Sequence, residues 1–327
     1  MKVASQIKLN RFARYVWIVV GVNLFVIVWG AYVRASFSGD GCGSHWPLCN
    51  GEVIPTTGLV KTLIELTHRL TSGVALLLVV GLVWRARRHF PRGHGVRRGA
   101  FWSLIFILLE ALIGAALVKF ALVAGNASMA RALVMSIHLV NTFLLLAALS
   151  LTAWWAMGGA PVRWRGQGKV GAIYALGLSG TLLIAVSGAV AALGGTLFPV
   201  NSVAEGIRQD FSTAAHFLIR LRGLHPLLAV GIGLYVVAAA SYVNTFLRVS
   251  PHTKRLTSLL TTLFLVQLGA GILNFTFHAP VWLQLTHLLL ADLFWIALVL
   301  TAAATLAQTD ATPETLEQLN LRTAMET

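Results

Sequence analysis

Apolar residues run through this chain in eight long stretches separated by short polar segments. They lie at roughly 14–35, 61–84, 100–121, 131–157, 170–193, 218–243, 256–277 and 283–306. A helix that crosses a bilayer needs about 20 mainly apolar residues, and each stretch meets that length. The pattern predicts an all-α polytopic membrane protein with eight transmembrane helices. The first stretch is too long for the apolar core of a secretory leader and lacks a small-residue cleavage site, so it is expected to remain as a span.

The polar segments carry the orientation. Lys2, Lys8, Arg11 and Arg14 precede the first span, and Arg85, Arg87, Arg88, Arg92, Arg97 and Arg98 follow the second. Arg163, Arg165 and Lys169 follow the fourth, and Arg248, Lys254 and Arg255 follow the sixth. The opposite loops hold Arg208. Lys and Arg are retained on the cytoplasmic side, so both termini are expected inside, in the cell inner (plasma) membrane.

Composition agrees with this reading. Of 327 residues, 57% are hydrophobic and 11% charged, whereas soluble domains carry about 25% charged residues. The formal net charge of +14 is spread over four short loops, which argues against a nucleic-acid face. Two cysteines are too few for a disulfide-rich scaffold or a four-cysteine metal site. The tail from Gln308, with Asp310, Pro313, Glu314 and Glu317, is expected to be a mobile cytoplasmic end or a short surface helix.

The chain repeats itself once. Span 4 reads SIHLVNTFLLLAALSLTA around His138, and span 8 reads LTHLLLADLFWIALVLTA around His287. His68 and His225 are 157 residues apart, as are Glu110 and Gln267, and His138 and His287 are 149 apart. Two pseudo-symmetric four-helix bundles follow, arranged as parallel repeats. The expected units are a cytoplasmic N-terminus 1–13, an N-terminal half 14–157, a linker 158–169, a C-terminal half 170–306 and a tail 307–327.

Four of the ten histidines lie within spans: His68, His138, His225 and His287. All sit on even-numbered spans, about 5–7 residues past the outer start, which is roughly 8–10 Å deep. A lone histidine on an apolar helix is usually a hydrogen-bonded packing residue. Four at one depth, two per bundle, instead suit the axial positions of a haem iron. Zinc would call for three or four clustered ligands. A proton relay and structural polar contacts remain open.

The halves differ in their charges. Glu65 precedes His68 by three residues, on the same helix face, whereas Arg222 holds that place before His225. A carboxylate beside a reactive iron could move protons or orient water, and an arginine could pair with a haem propionate. Arg69 and Arg222 are candidate propionate partners. The plainer alternative is that Glu65 and Arg69 pair or snorkel at the interface. Glu110 reads as a proton-path residue or a neutral buried acid, and Asp292 as a hydrogen-bonding partner for a neighbouring helix.

The outer loop SGDGCGSHWPLCNGEVIP carries Cys42 and Cys49. A bridge there would be a structural staple worth about 2–3 kcal/mol. As an exposed pair near a haem edge, it would alternatively exchange electrons by thiol–disulfide chemistry. Trp46 and Pro47 are expected to rest at the interface. His216, in the long loop 194–217, lacks a partner at equal depth and reads as non-ligating.

Together, IELTHRLTSG in span 2, GCGSHWPLCNGEVIP before it, IHL in span 4, DFSTAAHFLIRLRGLHPLLA into span 6 and QLTHLLLADLFW in span 8 resemble the haem A synthase family over nearly the whole chain. Glu-x-x-His-Arg is the most specific element. The resemblance implies oxidation of the ring D methyl group of haem O to a formyl group, giving haem A for cytochrome oxidase. It implies a substrate half with Glu65 as the catalytic position and His68 and His138 as haem-binding residues. His225 and His287 would then be axial ligands of a haem b cofactor. Implied partners are haem O, the farnesyltransferase that produces haem O, an electron-transfer partner that the sequence does not name, the lipid bilayer and a second copy of the chain. Two departures stand out. No cysteine follows span 5, and Pro226 follows His225 where some members have arginine. The proline predicts a kink in span 6.

Two other classes share features of this pattern. A di-haem cytochrome b linked to quinone would use the same four histidines without modifying haem. A transporter built on parallel repeats would need no iron.

Overall fold

The computed structural model describes residues 10–55 and 59–307. The first nine residues and the acidic tail with Asp310, Pro313, Glu314 and Glu317 lie outside the described residues. Those described are helical apart from connecting loops and one isolated bridge between Cys49 and Glu52.

Seven crossings are single helices: α1 (Arg11–Ala35), α2 (Val60–His89), α3 (Gly95–Lys119), α4 (Met129–Ala156), α5 (Gly168–Leu197), α9 (Pro251–Thr276) and α10 (Val281–Leu306). The short α6 (Val203–Asp210) lies in the loop after α5. The sixth crossing is composite, with α7 (Phe217–Arg222), α8 (Leu224–Tyr242) and a π-helical turn, Val243–Leu247. All eight are long and apolar enough to span a membrane, and most extend a few residues beyond the apolar runs. The extensions hold end groups such as Asn10, whose side chain accepts from the Ala13 N–H at 2.7 Å. A side-chain cap satisfies one of the orphan donors of a first turn.

The sixth crossing is interrupted at Gly223, where α7 ends and α8 begins, three residues before Pro226 and next to Arg222, whose carbonyl a proline four residues on would crowd. Pro226 therefore falls in the first turn of α8. An N–H there has no intrahelical acceptor to lose, so proline is tolerated.

The crossings pack as two closed rings. In the first half α1 and α3 each touch both α2 and α4; in the second, α5 and α9 each touch both α8 and α10. The histidine-bearing helices are thus diagonal partners in each ring. The halves meet where α4 packs on α5 and α10, and α10 on α1. Accordingly α4 and α10 are the most buried crossings and α3 and α9 the least.

In lipid, close packing and interhelical hydrogen bonds hold helices together, each bond contributing about 0.6 kcal/mol on average. Across the halves the Phe143 and Trp295 rings stack at 5.2 Å, and the Trp295 indole N–H donates to the Phe143 carbonyl at 2.6 Å. At the end of the bundle away from the histidines, Asn244 donates to Tyr174 and Thr257 at 3.0 and 2.8 Å and accepts from Thr305 at 2.9 Å. This buried network surrounds the π-helical turn.

Candidate functional site

The four histidines sit eight, nine, eight and six residues beyond the first residues of their crossings, a matched depth on diagonal helices. In the second half the His225 and His287 rings face each other with centroids 6.5 Å apart and planes at 90°. A metal–imidazole bond is about 2 Å long and the ring centre lies about 1 Å further back. Two axial ligands on one iron therefore have centroids about 6 Å apart, which this pair approaches.

The nitrogens of His225 agree with that use. Ser187 Oγ donates to the Ile184 carbonyl at 2.9 Å and lies 3.0 Å from His225 Nδ1. Its one proton is engaged on the carbonyl, so Nδ1–H donates and the Nε2 lone pair of His225 remains for a ligand. Imidazole ligands are commonly oriented through their second nitrogen in this way. His287 meets the Gln267 side chain at its Nε2, 3.3 Å away, and its buried Nδ1 has no hydrogen-bond partner among the described residues.

Glycines make room for the rings. A Cβ on Gly188 would lie 3.1 Å from Cε1 of His225, and one on Gly271 3.2 Å from Cε1 of His287. In the first half a Cβ on Gly30 would lie 2.9 Å from Cε1 of His68. Gly30 and Gly188 are 158 residues apart and Gly114 and Gly271 are 157 apart, so the repeat holds the signal that would have revealed them. The residues of the second half fit a haem held by His225 and His287.

The first half is wired differently. His138 Nδ1 lies 2.5 Å from Glu110 Oε2, an ion-pair distance without hydrogen-bond geometry, and the buried Nδ1 of His68 has no hydrogen-bond partner among the described residues. Glu65, near the N-terminal end of α2, is 3% exposed. Its Oε2 accepts from the Cys42 N–H at 2.8 Å, and its Oε1 accepts from Arg69 Nη2 at 2.6 Å. Arg69 Nη1 also donates to the carbonyls of His45 and Leu48, each at 2.5 Å. Glu65 and Arg69 therefore pair, and together they hold the outer loop.

That loop is closed by a Cys42–Cys49 disulfide. Both cysteines are buried, unlike the exposed pair of the thiol–disulfide alternative. The loop lies on the first turn of α2, where Thr62 Oγ1 donates to the Gly41 carbonyl at 2.7 Å. A Cβ on Gly41 would stand 2.5 Å from the Lys61 backbone, so glycine permits this close approach.

The remaining candidates are placed as follows. Arg222 pairs with Asp210, Nη2 to Oδ1 2.7 Å and Nε to Oδ1 2.9 Å, a partner the sequence did not suggest. His216 caps α7 by accepting from the Leu218 N–H at 3.3 Å. Its ring packs on Phe198 at 5.0 Å, in keeping with a non-ligating role. Asp292 is buried, and neither of its oxygens has a hydrogen-bond partner among the described residues. The hydrogen bond expected from it to a neighbouring helix is therefore not found. Among those residues no three of His, Cys, Asp or Glu come together as a bare-metal site.

Comparison with known proteins supplies the context. Two proteins named protoheme IX farnesyltransferase, from two strains of Thermus thermophilus, are each 52% identical over 297 residues. The match takes in 91% of this chain and 49% of each relative, so the chain spans about half the length of these curated relatives. A heme A synthase from Bacillus mycoides is 39% identical over 111 residues, 34% of this chain and 36% of that protein. The family model described as cytochrome oxidase assembly protein, COX15-CtaA, matches residues 13–299. The chain belongs to this family of cytochrome oxidase assembly proteins.

Proposed function

We propose that the chain is a haem A synthase. It oxidises the ring D methyl group of haem O to a formyl group and so supplies haem A for cytochrome oxidase. The facing pair His225 and His287, at 6.5 Å and 90°, carries the reading, because two opposed imidazoles in an apolar helical ring suit a porphyrin iron. The likeness to Bacillus heme A synthases over 111 residues supports it.

In this reading haem O reaches the first half laterally from the bilayer, with its isoprenoid tail remaining in lipid. His68 and His138 hold the substrate. Glu65, fixed by the Cys42 N–H and Arg69, handles protons or places a water as methyl becomes alcohol and then gem-diol, each step taking up one water oxygen and releasing two protons and two electrons, the electrons to the electron-transfer partner, before the gem-diol loses water to give the aldehyde. The disulfide acts as a staple for the loop that orients Glu65. Haem b in the second half, held by His225 and His287, supplies one-electron redox chemistry when bound. Both termini lie in the cytoplasm, following the Lys/Arg distribution.

The Thermus relatives carry a farnesyltransferase name. We assign that activity to the half of those proteins outside the match. Prenyl transfer would require carboxylates for a magnesium diphosphate, and no cluster of that kind is found among the described residues here. A chain that farnesylates haem and one that oxidises the product act in sequence, so a haem O-producing farnesyltransferase is the expected partner.

The test is expression in a host that makes haem O but no haem A, followed by pigment extraction. Haem A is expected with the native chain, and haem O alone with Glu65→Ala. Haem O alone with a folded, pigmented native chain would point to the di-haem cytochrome b reading instead.

A further inference from the structure

Glu110 lies inside the first half, and the reaction proposed above does not use it. Its carboxylate is nonetheless tightly held. Oε1 accepts from Asn141 Nδ2 at 2.7 Å and from Thr142 Oγ1 at 3.0 Å, and Asn141 is itself anchored on the Phe106 carbonyl at 2.9 Å. Asn141 and Thr142 follow His138 by three and four residues, one turn along the same face of α4. Glu110 reaches from α3 onto this face, and its Oε2 stands 2.5 Å from His138 Nδ1, within ion-pair distance though outside hydrogen-bond geometry. The contact leaves Nε2 of His138 as the ligating nitrogen.

The corresponding position in the second half holds Gln267, a neutral amide that meets His287 at the other nitrogen, Nε2. A carboxylate behind a ligating imidazole raises its basicity, and hydrogen bonds to axial ligands are among the levers that set a haem potential. A stronger donor favours ferric over ferrous iron. Building on the proposed function, we infer that Glu110 is a positioning residue that sets the donor strength of His138 and holds the first-half haem at a lower potential than the second. The asymmetry of the halves then lies behind the ligands as well as at Glu65.

The experiment is a redox titration of the purified, haem-loaded protein with resonance Raman detection. Glu110→Gln is expected to lower the ferric preference about tenfold, raising one of two midpoints by about 59 mV and leaving the other in place. The iron–histidine stretch of the same haem is expected to fall, and Glu110→Asp to give an intermediate shift. Midpoints and stretch unchanged in a fully loaded Glu110→Gln overturn the inference and leave the synthase reading intact. A native protein with no porphyrin overturns the synthase reading itself.

A second measurement covers a Glu110→Gln variant that does not hold pigment. In His138→Gly, 4-methylimidazole added from solution presents an N–H to Glu110, and 1-methylimidazole, of the same size, does not. The first is expected to bind at least tenfold more tightly, read from the absorbance band. Equal binding overturns the inference.

Discussion

Arg34 in the last turn of α1 donates from Nη1 to the carbonyl of Ala192 on α5, 2.9 Å away, so one guanidinium ties the first half to the second. The same nitrogen reaches Thr196 Oγ1, and Nη2 donates to Gln284 Oε1 on α10 at 2.8 Å. Hydrogen bonds from a charged donor contribute about 1.5–3 kcal/mol each. Arg34→Ala is expected to destabilise the protein by about 2–4 kcal/mol and lower its melting temperature in detergent by several degrees. An unaltered melting curve would show that the outer ends are held by packing alone.

Gly188 is the second point of attack. A methyl group there would press on the His225 ring, whereas Gly195, on the same helix, has nothing within 4 Å of its missing Cβ. Alanine is favoured over glycine inside a helix by about 1 kcal/mol. Gly195→Ala is therefore expected to be neutral or stabilising with full haem b content. Gly188→Ala is expected to lose about tenfold in haem affinity, measured by pigment retention during purification. Equal retention in the two variants would remove the cradle role.

Ser187→Ala takes away the acceptor that orients His225. Loss of a partner behind a metal ligand commonly lowers affinity 10–100-fold. Weaker haem b retention and a changed low-spin electron paramagnetic spectrum are expected, with the first-half haem unaffected. A native spectrum would mean that Gly188 alone suffices to place the ring.

Arg69→Ala removes the link between Glu65 and the loop carbonyls of His45 and Leu48. Haem A output is expected to fall at least tenfold, by analogy with other losses of a buried charged partner at about 1.5–3 kcal/mol. Haem b content should stay constant. Loss of both pigments together would assign Arg69 a general folding role.

Much of this organisation was legible in the residues. The eight crossings follow from apolar length, and the matched histidines from the 157- and 149-residue offsets. The Glu65–Arg69 pair follows from helical spacing, since four residues bring side chains onto one face. What sequence could not supply were contacts between helices distant in the chain. Arg34 meets Ala192 across 158 residues, and Glu110 meets His138 through the packing of α3 on α4. The burial of Cys42 and Cys49 was hidden because the loop folds back onto α2 through Gly41, a tertiary contact without periodicity. The interruption of the sixth crossing was legible from Pro226, which acts on the turn that precedes it.

That break has a mechanical meaning. A continuous helix would transmit any twist of the outer loop directly to the imidazole of His225. Instead α6 is anchored to α7 through Asp210 and Arg222, and the joint at Gly223 follows at once. The helical segment that carries Arg222 ends there, two residues before His225, although Gly223 itself keeps helical dihedrals, φ −64° and ψ −20°. The Arg222–Asp210 pair and the His225 ring thus sit on two separate helical segments of one crossing.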